Sequence, residues 1–142
     1  MTINEIQDQI IEEFSSFEDW LEKYEYIINL GKDLGIMDEK FKTSDNIIKG
    51  CQSNVWLHGS LEEGKIFYIA DSDAIITKGI ISLLIRVLSG RTPNEIIEAK
   101  LYFIDKIGLK ENLSPTRANG LLSMIKQIRL YAIAYREKLK QN

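Results

Sequence analysis

Apolar residues recur at helical spacing towards both ends of this chain, but between Val55 and Ala70 the period shortens to that of strands. Val55-Trp56-Leu57-His58 and Ile66-Phe67-Tyr68-Ile69-Ala70 are short β-rich runs, and Gly59-Ser60-Leu61-Glu62-Glu63-Gly64 between them reads as a longish hairpin turn. Ile47-Ile48 is β-branched and offers a short third strand. A two-stranded hairpin is marginal in water on its own, so this sheet must lean on helices. The order helix, helix, small sheet, helices therefore predicts an α+β fold. Residues 1–142 are expected to form a single domain, with a small antiparallel β-sheet packed against several α-helices.

Ile3, Ile6, Ile10, Ile11 and Phe14 predict a first helix that Ser15-Ser16 interrupts. A second is expected from about Phe17 to Leu30, with Trp20, Leu21, Tyr24, Ile27 and Ile28 as its apolar stripe and Gly31 and Gly35 as its stop. Lys40 to Asn46 is polar and reads as a loop. Asp71-Ser72-Asp73 forms a capping cluster ahead of a helix from Ala74 to Leu88. Ile75, Ile76, Gly79, Ile80, Leu83, Leu84 and Val87 cover so much of that helix that it should lie at the centre, with Gly79 at a close approach. Thr92-Pro93-Asn94-Glu95 carries a capping threonine, a proline at the first helical position and a capping-box glutamate. Ser114-Pro115 starts the last helix, with Leu121, Leu122, Ile125, Ile128, Tyr131, Ala132 and Tyr135 inward and Lys126, Arg129 and Arg136 outward.

Composition narrows the function classes. The net charge is −3, which gives no support to a nucleic-acid role. Charge is unevenly placed: residues 1–25 carry eight acids against Lys23, whereas residues 116–142 carry six bases against Glu137. Such polarity either steers docking to a charged protein partner or marks two solvated helix faces. The acidic start Met1-Thr2-Ile3-Asn4-Glu5 does not read as a signal peptide, and the apolar run from Gly79 to Leu88 is too short to span a bilayer. With one free cysteine, a reducing cytoplasm is the expected compartment and no membrane role is expected.

Cys51 is the single cysteine, in Lys49-Gly50-Cys51-Gln52-Ser53-Asn54-Val55-Trp56. One thiol cannot form an intrachain disulfide or a Cys-x-x-Cys redox pair, but an exposed one can act as a nucleophile or hold a covalent passenger. Free cysteines are often inert core residues. Here Gly50 frees the backbone, and Gln52, Ser53 and Asn54 offer hydrogen bonds, which favours a loop. The thiolate becomes useful where a cation or backbone N–H groups stabilise it, and Lys49 or a distant arginine brought near by the fold are the candidates.

His58 is the only histidine, so any Cys-His hydrolase would have to use Cys51 and His58. Strand alternation puts Trp56 and His58 on one face and Val55 and Leu57 on the other, and contact with Cys51 would need a fold-back. Two His or Cys ligands do not make a transition-metal site without added carboxylates, so no metal is expected. Asp71 and Asp73 could serve as an acid/base pair, although their place before Ala74 favours capping. Gly31-Lys32-Asp33-Leu34-Gly35 lacks the spacing of a phosphate-binding loop.

Four ordered segments carry a resemblance. Ile48-Lys49-Gly50-Cys51-Gln52-Ser53-Asn54-Val55-Trp56 resembles the Gly-Cys-Gln-Ser-x-Val-Trp signature of the SufE family, the sulfur acceptors of iron–sulfur cluster assembly. Lys23-Tyr24-Glu25-Tyr26-Ile27-Ile28-Asn29-Leu30-Gly31 is similar to the family's second-helix motif, and Asp71-Ser72-Asp73-Ala74 with Lys78-Gly79 to its segment entering the central helix. Leu113-Ser114-Pro115-Thr116-Arg117-Ala118-Asn119-Gly120-Leu121 resembles its Leu-x-Pro-x-Arg-x-x-Gly-Leu motif. His58 to Lys65 matches no motif, so His58 inherits no role.

The resemblance implies the α+β fold shared with IscU-type scaffold proteins. It further implies that Cys51 accepts persulfide sulfur from a SufS-type cysteine desulfurase, stimulates that enzyme, and passes sulfur to a SufBCD-type scaffold. The chain would then be an accessory sulfur carrier without a cofactor of its own, not a stand-alone enzyme. Arg117 is expected either to neutralise Cys51 and its persulfide or to serve the capping turn or a partner contact. Asp73 is expected to hold the loop or the start of the central helix, and Gly50, Gln52 and Ser53 to shape the loop. A cysteine hydrolase using Cys51 and His58, an acceptor for a paralogous sulfur-using pathway, and an interaction adaptor with an incidental cysteine are the competing readings.

Overall fold

The computed structural model describes residues 1–141. Helix α1 (Ile3–Ser15) begins in a capping box, with Thr2 Oγ1 accepting from the Glu5 amide and the Glu5 carboxylate accepting from the Thr2 amide. Helix α2 (Trp20–Lys32) starts later than the apolar stripe suggests, because Asp19 is extended and its carboxylate caps the Glu22 amide at 2.9 Å. It also runs through Gly31, which is buried mid-contact and does not stop the helix. Gly35, at φ 85°, takes the left-handed conformation just beyond.

Why Gly31 stays helical is settled by what lies opposite. Helix α3 (Ile75–Leu88) crosses α2 with Gly79 against Gly31. A Cβ on Gly31 would sit 2.8 Å from the Gly79 nitrogen, and one on Gly79 would sit 2.7 Å from the Ile27 carbonyl carbon. Backbone meets backbone here, and no side chain fits between. The predicted close approach at Gly79 is correct. α3 is the central helix: Ile80, Ile81, Leu83, Leu84, Val87 and Leu88 are all buried. Ile75, read as part of its buried stripe, is instead 67 % exposed.

Strands β1 (Val55–Glu62) and β2 (Lys65–Ser72) form an antiparallel pair in the register Val55↔Ser72 through Glu62↔Lys65. Gly59 to Glu62 belong to β1, so the expected long turn shrinks to Glu63-Gly64, both at positive φ (51° and 79°). Two left-handed residues match the right-handed twist of a tight hairpin. Ile47-Ile48 contributes a single bridge, Ile47↔Trp56, and not a third strand. Val55, Leu57, Ile66, Tyr68 and Ala70 face the core.

The other face carries Trp56, His58 and Asp71, crossed by the 3₁₀ turn Glu39–Phe41. Phe41 stacks on His58 at 4.6 Å, and the Lys42 ammonium lies over the Trp56 ring. Asp71 therefore lies within β2, one residue before its end, and does not cap α3: the N-cap of α3 is Ala74, which makes no side-chain cap. Only 6 % exposed, Asp71 binds Lys42 at 3.0 Å and Lys78 at 3.2 Å. Burial opposes its ionisation, but the two lysines and the Ser72 amide outweigh it and hold the carboxyl below the usual range.

Helices α4 (Pro93–Glu98) and α5 (Phe103–Lys106) lead to the long α6 (Pro115–Lys140). The Thr92/Glu95 capping box forms as read, and Ser114 caps α6 through the Arg117 amide. α6 covers the free edge of β1. Tyr131 donates to the Leu57 carbonyl at 3.2 Å and Tyr135 to the Gly59 carbonyl at 2.7 Å. Leu122, expected inward, is 48 % exposed. Arg129 and Arg136, expected outward, are half-buried, and Arg129 donates to the Ala99 carbonyl at 2.6 Å. Arg86 on α3 binds Glu13 on α1 through both guanidinium ends, with Tyr26 donating to the same carboxylate. Among the described residues no helix is long and apolar enough to cross a membrane.

Candidate functional site

Cys51 lies in the loop that carries the chain from Ile48 into β1. The loop is closed at its base by the Ile48 amide donating to the Val55 carbonyl at 2.8 Å. Asn54 ties its far side: its backbone and side-chain nitrogens donate to the Asp73 carboxylate at 3.1 and 3.0 Å. The Asn54 carbonyl accepts from the Ser72 hydroxyl at 2.8 Å and from the Asp73 amide at 3.3 Å. Asp73 thus holds the loop, one of the two roles considered for it. The hydrogen bonds expected from Gln52 and Ser53 come from Asn54 instead, since neither of those side chains makes one among the described residues.

Gly50 precedes the cysteine at φ 96°, where an L side chain is strained. A Cβ there would also stand 3.3 Å from Ser123 Cβ and overlap its hydroxyl, so the loop rests directly on α6. Cys51 turns inward and is half-buried, not exposed. Its thiol points at the Gly120 carbonyl, 3.6 Å away, within reach of a sulfur hydrogen bond. A Cβ at position 120 would lie 3.5 Å from Sγ, so glycine leaves the sulfur uncovered on that side.

Beside the sulfur is a cavity of about 50 Å³, lined by Gln52, Ser53, Thr77, Ile80, Thr116, Arg117, Gly120 and Met124. Among the described residues Arg117 is the only charged one in the lining. It comes from the first turn of α6, remains exposed, and makes no ion pair among the described residues. Burial pushes the Cys51 thiol up, opposite to the activating shift that reading the sequence favoured. At rest the thiol is half-buried, and that burial disfavours its thiolate form.

The other candidates are elsewhere. His58 stacks on Phe41 across the outer face of the sheet and does not line the cavity. Among the described residues no histidine or carboxylate lines it, so the Cys51–His58 dyad is not assembled. Asp71 is committed to two lysines. Lys49 is exposed and borders a separate surface groove with Ser123, Lys126 and Leu130. Among the described residues no cluster of three or more metal-ligating side chains occurs. Sequence reading did not single out Thr77, and it placed Ile80 on the apolar stripe of α3 without assigning it to the site. Gly120 carried a signal in the Arg-x-x-Gly-Leu motif, but its purpose becomes visible only beside Sγ.

Residues 8–132 match the family described as SufE, Fe-S metabolism associated domain. An uncharacterized SufE-like protein of Synechocystis is 41% identical over 127 residues, 89% of this chain and 80% of that one. An uncharacterized SufE-like protein of Rhizobium meliloti is 42% identical over 128 residues, 86% of this chain and 91% of that one. SufE-like protein 1, chloroplastic/mitochondrial, of Arabidopsis thaliana is 40% identical over 126 residues, 88% of this chain but 34% of the plant protein. The solution structure of a hypothetical protein from Thermus thermophilus superposes with a TM-score of 0.74 at 21% identity, covering 95% of this chain and 96% of that one, which shows the shared fold.

Proposed function

The chain belongs to the SufE family of iron–sulfur metabolism, and we propose that it is a sulfur carrier whose covalent site is Cys51. A SufS-type cysteine desulfurase presents sulfur as an enzyme persulfide. The Cys51 thiolate attacks the outer sulfur, forming a new S–S bond at Cys51 and breaking the donor S–S bond. The donor leaves as a thiolate and takes the proton, so the exchange is redox-neutral. The carrier then passes its outer sulfur to a SufBCD-type scaffold, acting in the reducing cytoplasm as one domain over residues 1–142. Stimulation of the desulfurase follows from removing its persulfide.

One observation carries this reading: the only thiol turns inward to the Gly120 carbonyl and faces a small cavity beside it. A stand-alone hydrolase would place a base against its nucleophile, and no base lines this cavity. A carrier gains from a thiol that is quiet until docked. Docking that swings the loop off α6 exposes Sγ, removes the burial that favours the protonated form, and lets Arg117 face the sulfur. Gly50 is the position with the backbone freedom for that movement.

The test is incubation with a SufS-type desulfurase and cysteine, followed by intact-mass measurement. One added sulfur, absent from Cys51→Ser and retained in His58→Ala, is the expected result. No added sulfur on the native chain overturns the carrier reading, and loss of an ester- or amide-cleaving activity in His58→Ala would establish the hydrolase instead.

A further inference from the structure

Thr77 is the only polar side chain buried on α3, at 7 % exposure, and it lines the Cys51 cavity. Ser82, one turn later, returns its hydroxyl to the Gly79 carbonyl. Thr77 does not, and its hydroxyl has no hydrogen-bond partner among the described residues. Thr77 is otherwise buried, so its unpartnered hydroxyl is left available to whatever enters the cavity that the residue lines.

Its surroundings identify what that is. Thr77 closes the first turn of α3, whose N-cap is Ala74 and makes no side-chain cap, so the amides of that turn lack intrahelical partners. The first turn of α6 reaches the same cavity through Thr116 and Arg117. α1, α2 and α4 each carry a glutamate in the first turn, whereas α3 and α6 carry no acid there. Two positive helix ends, one cation and a free hydroxyl converge on a space with no negative group in its lining. At about 50 Å³ it exceeds the ~10–15 Å³ that one small atom group such as water requires.

We propose that this cavity receives the terminal sulfur of a Cys51 persulfide as an anion, and that the Thr77 hydroxyl donates the hydrogen bond that holds it. The inference rests on the carrier reading above and adds to it the residue that binds the cargo. A persulfide is a stronger acid than its parent thiol, so the same pocket treats the two states differently. The bare thiol donates to Gly120 and stays protonated; the added sulfur reaches past it to donors and a positive field. The hydrogen bond lowers the reactivity of the stored sulfur towards small thiols and leaves transfer to the docked state.

The experiment loads the native chain, Thr77→Val and Thr77→Ser from a SufS-type desulfurase with cysteine and verifies one sulfur mass on each. It then follows loss of that sulfur to glutathione, and separately the alkylation rate of each uncharged Cys51. Loss from Thr77→Val should be roughly 10–100-fold faster, the worth of one hydrogen bond to a charged acceptor. Thr77→Ser should match the native chain, and bare-thiol alkylation should stay within about twofold throughout, since Thr77 does not contact the resting Sγ hydrogen bond. Equal lifetimes in native chain and Thr77→Val would overturn the assignment, as would failure of Thr77→Ser to restore the lifetime or a parallel rise in bare-thiol alkylation. Failure of the native chain to take up sulfur would instead overturn the carrier reading on which it rests.

Discussion

Two glycine contacts in this molecule lack the same atom for opposite reasons. At the α2–α3 crossing, Gly31 and Gly79 are bare so that two backbones can touch, and nothing is left between them. At the Cys51 site, Gly120 is bare so that a sulfur atom can be left uncovered, and the missing methyl is space held for something else. Stability should depend strongly on the first contact and hardly on the second, while sulfur chemistry should depend on the second alone.

Gly79→Ala should produce the largest effect. Its new methyl would press on the Ile27 carbonyl, which belongs to a helix backbone and cannot rotate away. A loss of about 3 kcal/mol or more in urea unfolding is expected, in the upper range of overpacking. Gly50→Ala should come next, at about 1–2 kcal/mol for a left-handed alanine, because Ser123 can turn its hydroxyl aside but φ cannot relax. If the loop lifts to relieve that strain, Cys51 alkylation should also accelerate. Gly120→Ala should break the pattern: it gains about 0.5–1 kcal/mol of helix propensity, its methyl meets Sγ only at 3.5 Å, and yet sulfur uptake from a desulfurase should fall. Equal destabilisation by Gly79→Ala and Gly120→Ala, measured side by side, would erase the distinction.

The smallest effects are those of pH. Arg86 holds Glu13 below the usual carboxylate range, and the lysines do the same for Asp71 against its burial. A depressed folded-state pKa contributes stability that is complete above the ordinary carboxylate range and lost as pH falls through the folded value. The apparent melting temperature should therefore decline below about pH 4, and less steeply in Asp71→Asn. Cys51 moves the other way. Its thiol is raised above the reference value of 9.0, so the alkylation rate of the resting protein should still be climbing beyond pH 9, as stopped-time labelling and mass measurement will show.

Local chemistry made much of this readable in advance. The α+β class, the capping box ahead of α4, and the close approach at Gly79 rest on near-neighbour rules that Thr92-Pro93-Asn94-Glu95 or the Ile80–Val87 stripe obey on their own. The misreadings with the largest consequences concern residues whose partner is distant in sequence. Gly31 resembles a helix stop until Gly79 is set against it, and Asp71 resembles a cap until Lys42 and Lys78 close on it. The site divides the same way. Cys51 and Gly50 announce themselves in one short run, but the cavity is completed by α3 and α6. Thr77 is an ordinary helical residue until it is found lining the same cavity as Cys51.

The loop around Cys51 is pinned at its base by Ile48 and Val55 and along its far side by Asn54 and Asp73. Its conformational entropy is therefore already low before any partner arrives, since loop closure has been settled in the folding of the free chain. A docking partner that lifts the cysteine has to disturb one weak S–H···O contact and the Gly50–Ser123 seat, but not the sheet. Binding strength can then go into orienting the sulfur instead of ordering a disordered strand.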